Sequence, residues 1–160
     1  MKRLILAVAF IAFARLTGCT GSVEIKSTLP KYKPIDIYTI AEEITGCPAF
    51  ILYGIASAES DFMASAIGDG GKSLGMFQIN ETFRDLRVQK YGEYNPFNPI
   101  DSAIIAGFIM AENMAVFGDY HQAICAYRQG IGGVQRNGAI TWYSEKVLKE
   151  GNKYISEEVL

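Results

Sequence analysis

Histidine and tryptophan are almost absent from this 160-residue chain, which has one of each. Because His121 is the single histidine, histidine-based zinc sites and Ser-His-Asp catalysis have little to draw on. Cysteine is also scarce, with three residues, and no group of cysteine and histidine has the spacing of metal ligands. The sequence therefore predicts no metal site and no cofactor.

The basic residues form no stripe along the chain, and the formal net charge is −2. Residues 1–18 contain three basic residues and no acidic one, so a mature chain without them has a formal charge of −5. An acidic domain with scattered basic residues is a poor binder of nucleic acid. We expect no nucleic-acid partner.

Residues 4–14 form an apolar run of eleven residues behind two basic residues. A membrane-spanning helix needs about 20 residues, whereas a shorter run of this kind is typical of a signal peptide. Residues 16–19, Leu-Thr-Gly-Cys, resemble the lipobox of bacterial lipoproteins, in which Cys19 would be lipidated and become the first residue. Cleavage behind the Ala-Phe-Ala of residues 12–14 is the alternative. We favour lipidation.

Three segments follow from this interpretation. Residues 1–18 form the signal peptide of a lipoprotein, residues 19–34 a polar tether, and residues 35–160 the folded domain. We expect an exported protein, attached to a membrane by a lipid on Cys19 and facing the periplasm. A soluble periplasmic or secreted protein is the alternative.

Lipidation of Cys19 would leave Cys47 and Cys125 as the remaining cysteines. An oxidising compartment permits a disulfide between them. Free cysteine is also often buried in helix packing, so two buried thiols are the other possibility. The sequence leaves both open.

Apolar residues recur at helical spacing through most of the domain, and no region is rich in strands. The pattern predicts a mainly α domain. A glycine-rich segment at residues 61–74 predicts a loop or a small hairpin. The predicted helices cover residues 35–45, 48–60, 80–90, 100–117, 120–128 and 141–149.

Glu59 lies at the end of an almost wholly apolar helix and directly before the glycine-rich loop. Burial raises the pKa of a carboxyl group, and the negative end of the helix dipole acts in the same direction. A raised pKa suits a general acid near neutral pH. A surface glutamate at a frayed helix end is the alternative interpretation.

Four short elements, in order, resemble the catalytic domain of lytic transglycosylases in the lysozyme-like superfamily. Residues 58–62 read Ala-Glu-Ser-Asp-Phe, and residues 75–78 read Gly-Met-Phe-Gln. Phe-Asn-Pro follows at residues 97–99, and Ala-Tyr-Arg within residues 123–130 resembles the family's Ala-Tyr-Asn. The resemblance covers roughly two thirds of the chain and implies a lysozyme-like helical fold.

The resemblance also implies a reaction, the cleavage of peptidoglycan glycan strands with Glu59 as the single catalytic acid and base. A 1,6-anhydro ring would form on the muramic acid residue, without water and without the second carboxylate that glycosidases usually have. Tyr127 would hold Glu59 by a hydrogen bond or line the subsite for the cleaved sugar. The implied substrate-binding residues are Gln78, Tyr127, Ser60, Met76 and Ser73.

The chain departs from the family pattern around the expected site. The segment between Glu59 and Gln78 is one residue longer than usual, so the family's loop serine falls at Gly68 or Asp69, and Ser73 is displaced. Arg128 stands where the family has Asn in its Tyr-Asn pair. The departures affect substrate contacts and not the acid.

Two other functions are compatible with the sequence. A hydrolytic muramidase of the goose-type lysozyme kind would need a second carboxylate to activate water, for which Asp61 and Asp69 are the near candidates. A lipid-anchored, non-catalytic peptidoglycan-binding protein is the other alternative.

Overall fold

The computed structural model describes residues 37–158. The predicted signal peptide, the predicted tether and Cys19 lie outside these residues. Within the described range the chain is mainly helical, as predicted, and the helices form one large hydrophobic core with a smaller buried cluster. The helices are α1 (Ile37–Thr45), α2 (Ala49–Ser60), α3 (Arg84–Tyr91), α4 (Pro99–Phe117), α5 (Tyr120–Gln129), α6 (Ile131–Asn137) and α7 (Thr141–Glu158).

The glycine-rich segment forms a small antiparallel sheet between α2 and α3. Its strands are β1 (Ile67–Gly68), β2 (Ser73–Leu74) and β3 (Ile79–Asn80), in the order β1-β2-β3. Gly68 pairs with Ser73, which in turn pairs with Asn80. The alternative of a small hairpin is thus the correct one, and the sheet places the polar side chains of Ser73 in β2 and Asn80 in β3 beside Glu59 at the end of α2.

Helix α2 is buried on most of its surface and packs along α7. Two glycines allow this close approach. A Cβ atom on Gly54 would lie 2.1 Å from the backbone oxygen of Val147, and one on Gly151 would lie 2.3 Å from the backbone oxygen of Phe50. Only residues without a side chain fit at these crossing points. The contact fixes the position of α7 relative to the end of α2.

Helix α4 is the second buried helix and packs against α1 and α5. Asn98 caps its first turn through hydrogen bonds from the backbone N–H groups of Ile100 and Asp101, and Gly118 ends it in the left-handed conformation. Among the described residues, α4 is the one helix long and apolar enough to cross a membrane by length and composition. Its packing against its neighbours is that of a core helix.

The prediction was wrong for the segment after α5, because no helix was predicted between residues 128 and 141. Residues 131–137 form helix α6, although Gly132 and Gly133 are poor helix formers. Val134 explains the difference, because it is buried against Cys125 and Ala126 of α5. Tertiary packing outweighs the local preference here.

Helix α7 extends nine residues beyond its predicted end at Lys149. Gly151 lies inside the helix, where it serves the contact with α2 instead of ending the helix. Three residues later, the ring of Tyr154 packs 5.3 Å from that of Tyr53 and 5.7 Å from that of Tyr38. Burial of this aromatic cluster stabilises the extra turns.

Cys47 and Cys125 are both buried and both free. Cys47 belongs to the main core, whereas Cys125 packs with Val134 on the other side of α5 and donates to the backbone oxygen of Ile140. Of the two possibilities that the sequence left open, the structure therefore has the pair of buried thiols.

Candidate active site

Glu59 lies in the last turn of α2, which ends where Asp61 adopts the left-handed conformation. Its half-buried carboxylate faces a polar cavity of about 290 Å³ between the small sheet and α5. The cavity is lined by Glu59, Asp69, Ser73, Gln78, Asn80, Tyr127 and Arg128.

The carboxylate of Glu59 is held by a hydrogen bond from α7. The Tyr143 hydroxyl donates to Oε1 of Glu59 at 2.5 Å, and the Tyr143 ring is almost fully buried. The sequence indicated Tyr127 as the residue that could hold Glu59 by a hydrogen bond, and Tyr143 was not assigned to the site. Since the two residues are 84 positions apart, no local pattern could have paired them.

The pKa of Glu59 is raised above its usual value, and burial is the main cause. The hydrogen bond from Tyr143 and the charges of Arg128 and Lys146 act in the opposite direction, whereas Asp69 raises the pKa further. Desolvation prevails because the carboxylate faces more protein than solvent. Such a group can hold a proton at a pH where an exposed glutamate has lost it.

Tyr127 lines the cavity, but its hydroxyl donates to the backbone oxygen of Phe77 at 2.8 Å and not to Glu59. The bond ties α5 to the segment between β2 and β3. The pKa of Tyr127 is raised well above its usual value by burial and then by the charge of Glu59, so the phenol stays protonated. Tyr127 is therefore a neutral wall of the cavity.

Gln78 reaches the cavity from a backbone position that few residues other than glycine adopt, with φ at 47°. Its Nε2 donates to the backbone oxygen of Gly75 at 2.9 Å, and a Cβ atom on Gly68 would lie 2.2 Å from its Oε1. A side chain at position 68, such as the family's serine, would collide with this amide unless Gln78 moved. The lack of a side chain at Gly68 thus makes room for the amide of Gln78.

Ser73 and Asp69 meet on the sheet side of the cavity. The buried hydroxyl of Ser73 donates to Oδ2 of Asp69 at 2.5 Å. Asp69 itself is exposed and has φ at 49°, in the left-handed region. The longer loop therefore presents a second carboxylate to the cavity of Glu59, whereas Asp61 is not among the residues that line it.

Ser60 and Met76 were also expected to bind substrate, but neither lines the cavity. The hydroxyl of Ser60 donates to the backbone oxygen of Met76 at 2.7 Å and accepts from the backbone N–H of Met63. Met76 is buried, and its sulfur accepts from the hydroxyl of Tyr38. Both residues connect the loop to the core.

Two further lining residues were not assigned to the site from the sequence. Asn80 reaches the cavity from β3, and Arg128 follows Tyr127 on α5. Arg128 was noted only as a departure from the family's Asn, and that departure was the available signal. The sequence has no such signal for Asn80, because only the pairing of β2 with β3 brings this residue to the cavity.

The cavity continues into a larger groove of about 570 Å³. Gln78, Asn80, Tyr127 and Arg128 line both spaces. Beyond them the groove passes exposed apolar side chains of Phe83 and Leu86. A long polymer could thus lie along the molecule and pass Glu59 at one end of the groove.

The fold is that of a known family. Residues 36–147 match the family model of the Transglycosylase SLT domain, and the chain belongs to that family. The family acts on peptidoglycan, which implies a transglycosylase-type function and a periplasmic or extracellular site of action.

The chain is also similar to curated proteins from Salmonella. The chain is 30% identical over 124 residues to Invasion protein IagB of Salmonella typhimurium, in strains SL1344 and LT2, and to that of Salmonella typhi. The alignment covers 74% of this chain and 76% of the relative.

Proposed function

We propose that the chain is a peptidoglycan lytic transglycosylase that cleaves the β-1,4 bond between MurNAc and GlcNAc and leaves a 1,6-anhydro-MurNAc end. The observation that carries the proposal is Glu59, a carboxyl group of raised pKa, held by Tyr143 in a polar cavity of a Transglycosylase SLT domain. The groove beside the cavity supports a polymeric substrate.

The proposed reaction needs one carboxyl group. Glu59 donates its proton to the glycosidic oxygen as the bond from that oxygen to C1 of MurNAc breaks. The carboxylate then accepts the proton of the C6 hydroxyl of the same sugar, whose oxygen bonds to C1 and closes the ring. The acetamido group of MurNAc can stabilise the charge at C1, so an enzyme nucleophile is not required. No water is consumed, and Glu59 ends protonated.

The neighbouring residues have separate proposed roles. Tyr143 is a positioning residue that fixes the carboxylate through Oε1. Gln78 and Ser73 would hydrogen-bond sugar or acetamido groups, and the neutral Tyr127 would line the subsite of the cleaved MurNAc. Ser60 and Met76 would act on substrate only through the loop that they hold.

Digestion of purified sacculi tests the proposal. We expect the wild type to release products with 1,6-anhydro ends, identified by mass, and Glu59→Gln to release none. Glu43→Gln is the matched control, because Glu43 is an exposed glutamate of α1. An active Glu59→Gln variant would remove Glu59 from the role of acid. A wild type without muralytic activity would favour the non-catalytic peptidoglycan-binding alternative.

A hydrolytic muramidase is the second candidate, and the placement of Asp69 in the cavity of Glu59 favours it. In that mechanism Asp69 would activate a water that attacks C1, and the product would have a reducing MurNAc end. The Asp69 carboxylate already accepts a hydrogen bond from Ser73, which supports the transglycosylase reaction over hydrolysis. Reducing ends that disappear in Asp69→Asn would decide for hydrolysis.

We also propose that the protein is a lipoprotein that faces the periplasm, anchored through Cys19. Incorporation of a labelled fatty acid into the wild type, and its loss in Cys19→Ser, is the expected result. An unmodified mature N-terminus at Arg15 would contradict lipidation and indicate a soluble periplasmic or secreted protein instead.

A further inference from the structure

Arg128 lies where the cavity of Glu59 meets the adjoining groove, and it lines both. It is exposed to solvent, at the end of α5. A group that occupies the cavity and a group that occupies the groove could therefore both contact its guanidinium.

Two aromatic rings hold Arg128 in this place. Its Cζ lies 5.3 Å from the ring centroid of Trp142 and 5.4 Å from that of Tyr143, and the two rings are nearly perpendicular. Cation–π contacts position the guanidinium without using its N–H donors, because the rings offer no lone pairs. The donors remain available to a ligand.

The other two cations that line the groove each have an ion-pair partner. Arg87 pairs with Glu81, and Lys90 pairs with Glu112. Among residues 37–156, in contrast, no carboxylate lies within ion-pair distance of Arg128, and its side chain has no hydrogen-bond partner there. Arg128 is thus a fixed positive charge at the junction of the cavity and the groove. The N–H donors of its guanidinium, which form a planar fork, are unused.

Such a fork matches a carboxylate, which arginine binds with two parallel hydrogen bonds. In peptidoglycan, the sugar ring atoms carry no charge, and the carboxylates lie on the branch at C3 of MurNAc. They belong to the lactyl group where the peptide has been removed, or to the stem peptide where it is present.

We propose that Arg128 binds a carboxylate of the MurNAc branch and thereby selects muramic-acid-containing strands over neutral glycans. The inference rests on the proposed function, since it assigns the specificity of the same site. It gives the departure from the family's Asn a chemical meaning, because Asn is uncharged and cannot form an ion pair.

Binding to three soluble glycan oligomers of equal length tests the inference, with the full chain in a Glu59→Gln background to prevent turnover. One oligomer carries stem peptides, one has been stripped of peptides and exposes lactyl carboxylates, and one is a neutral chitooligosaccharide. Trp142 is the single tryptophan and lies beside Arg128, so its fluorescence reports binding.

We expect Arg128→Gln to weaken binding of a charged oligomer by about tenfold or more, and binding of the neutral one by less than about twofold. If Arg128→Gln weakens binding of the oligomer stripped of peptides, the ligand of Arg128 is the lactyl carboxylate. If it weakens binding of the stem-bearing oligomer only, the ligand is a carboxylate of the peptide. Arg136→Gln is the control, because this exposed arginine of α6 lines neither space. Arg128→Lys keeps the charge and should retain part of the preference for charged oligomers.

Unchanged binding, or an equal loss for charged and neutral oligomers, would overturn the inference. If sacculi were still cleaved in a Glu59-dependent manner, the proposed function would stand without it. If no oligomer bound and sacculi were not cleaved, both proposals would fail. Thermal unfolding of each variant verifies that an altered affinity does not arise from an unfolded domain.

Discussion

The Tyr143 hydroxyl donates a hydrogen bond to Oε1 of Glu59 and joins the first turn of α7 to the last turn of α2. The two helices can come this close because Gly54 and Gly151 leave room for the backbone of the partner helix. The position of the proposed acid therefore depends on helix packing that extends well beyond the cavity.

Tyr143→Phe removes the hydroxyl and leaves the ring. We expect kcat on peptidoglycan to fall by about 10- to 100-fold, because a hydrogen bond to a charged group contributes about 1.5–3 kcal/mol. The hydroxyl lowers the pKa of Glu59, so its loss should raise that pKa. Since the acid must begin protonated, the alkaline limb of the pH–rate profile should move to higher pH.

Tyr120→Phe is the matched control, because Tyr120 lies on the surface of α5 away from the cavity. Its pH–rate profile should equal that of the wild type. A Tyr143→Phe variant with lower kcat and an unmoved alkaline limb would show a structural role only.

Glu59→Gln should change stability in a pH-dependent way. The pKa of Glu59 is higher in the folded protein than in the unfolded chain, so ionisation of Glu59 opposes folding. Below the unfolded pKa both states are protonated, and wild type and variant should be equally stable. Above the folded pKa the variant should be more stable than the wild type, by about 1.4 kcal/mol for each pH unit by which the pKa of Glu59 in the folded protein exceeds that in the unfolded chain.

Urea unfolding of both proteins from acid to neutral pH measures this difference. A Glu59→Gln variant that is less stable than the wild type at neutral pH would show that the ionised carboxylate stabilises the fold. Glu43→Gln should give no such pH-dependent difference, because Glu43 is exposed.

Gly54→Ala should separate α2 from α7. The added Cβ would lie 2.1 Å from a backbone oxygen, which cannot rotate away as a side chain can. We expect the free energy of unfolding to fall by about 1–3 kcal/mol. Activity should fall as well, because Tyr143 would retreat from Glu59. In a Tyr143→Phe background the same substitution should reduce activity by a smaller factor.

Gly132→Ala is the control for Gly54→Ala. Gly132 is also a helical glycine, but a Cβ atom there would meet only the end of the flexible Arg136 side chain. The substitution should leave activity unchanged and stabilise the domain slightly, since alanine is the better helix former. Equal effects of the two substitutions would contradict the proposed packing constraint.

Cys47 should be unreactive in the native protein. Burial raises the pKa of its thiol to about 12, so almost none is present as the reactive thiolate at pH 8. In a Cys19→Ser variant, we expect a thiol reagent to label both remaining cysteines when the protein is unfolded in urea. In the absence of urea, the reagent should label Cys47 only very slowly. A reducing agent should leave Tm unchanged, and a drop in Tm would indicate a disulfide.

The sequence alone predicted the helices that have strong local signals. In the structure, residues with strong local preferences stand at the ends of these helices: Pro48 directly precedes α2, Gly118 directly follows α4, and Asp119 caps α5 by accepting from the backbone N–H of Gln122. The prediction failed where a glycine serves tertiary packing, as Gly151 does inside α7, because glycine has the same local preference in both settings. Helix α6 was missed for a related reason, since burial of Val134 has no local signature.

The placement of Glu59 at the end of an apolar helix, before a glycine-rich loop, was determined by the sequence, because helix periodicity and glycine conformation act within a few residues. Its partners were decided by the tertiary structure. Tyr143 donates a hydrogen bond to Glu59 and Arg128 lines the same cavity, although both lie more than 60 positions from Glu59 along the chain. The crossing of α2 and α7 at Gly54 sets the approach of Tyr143. Such contacts depend on which surfaces pack together, and that information lies in the whole core and in no single segment.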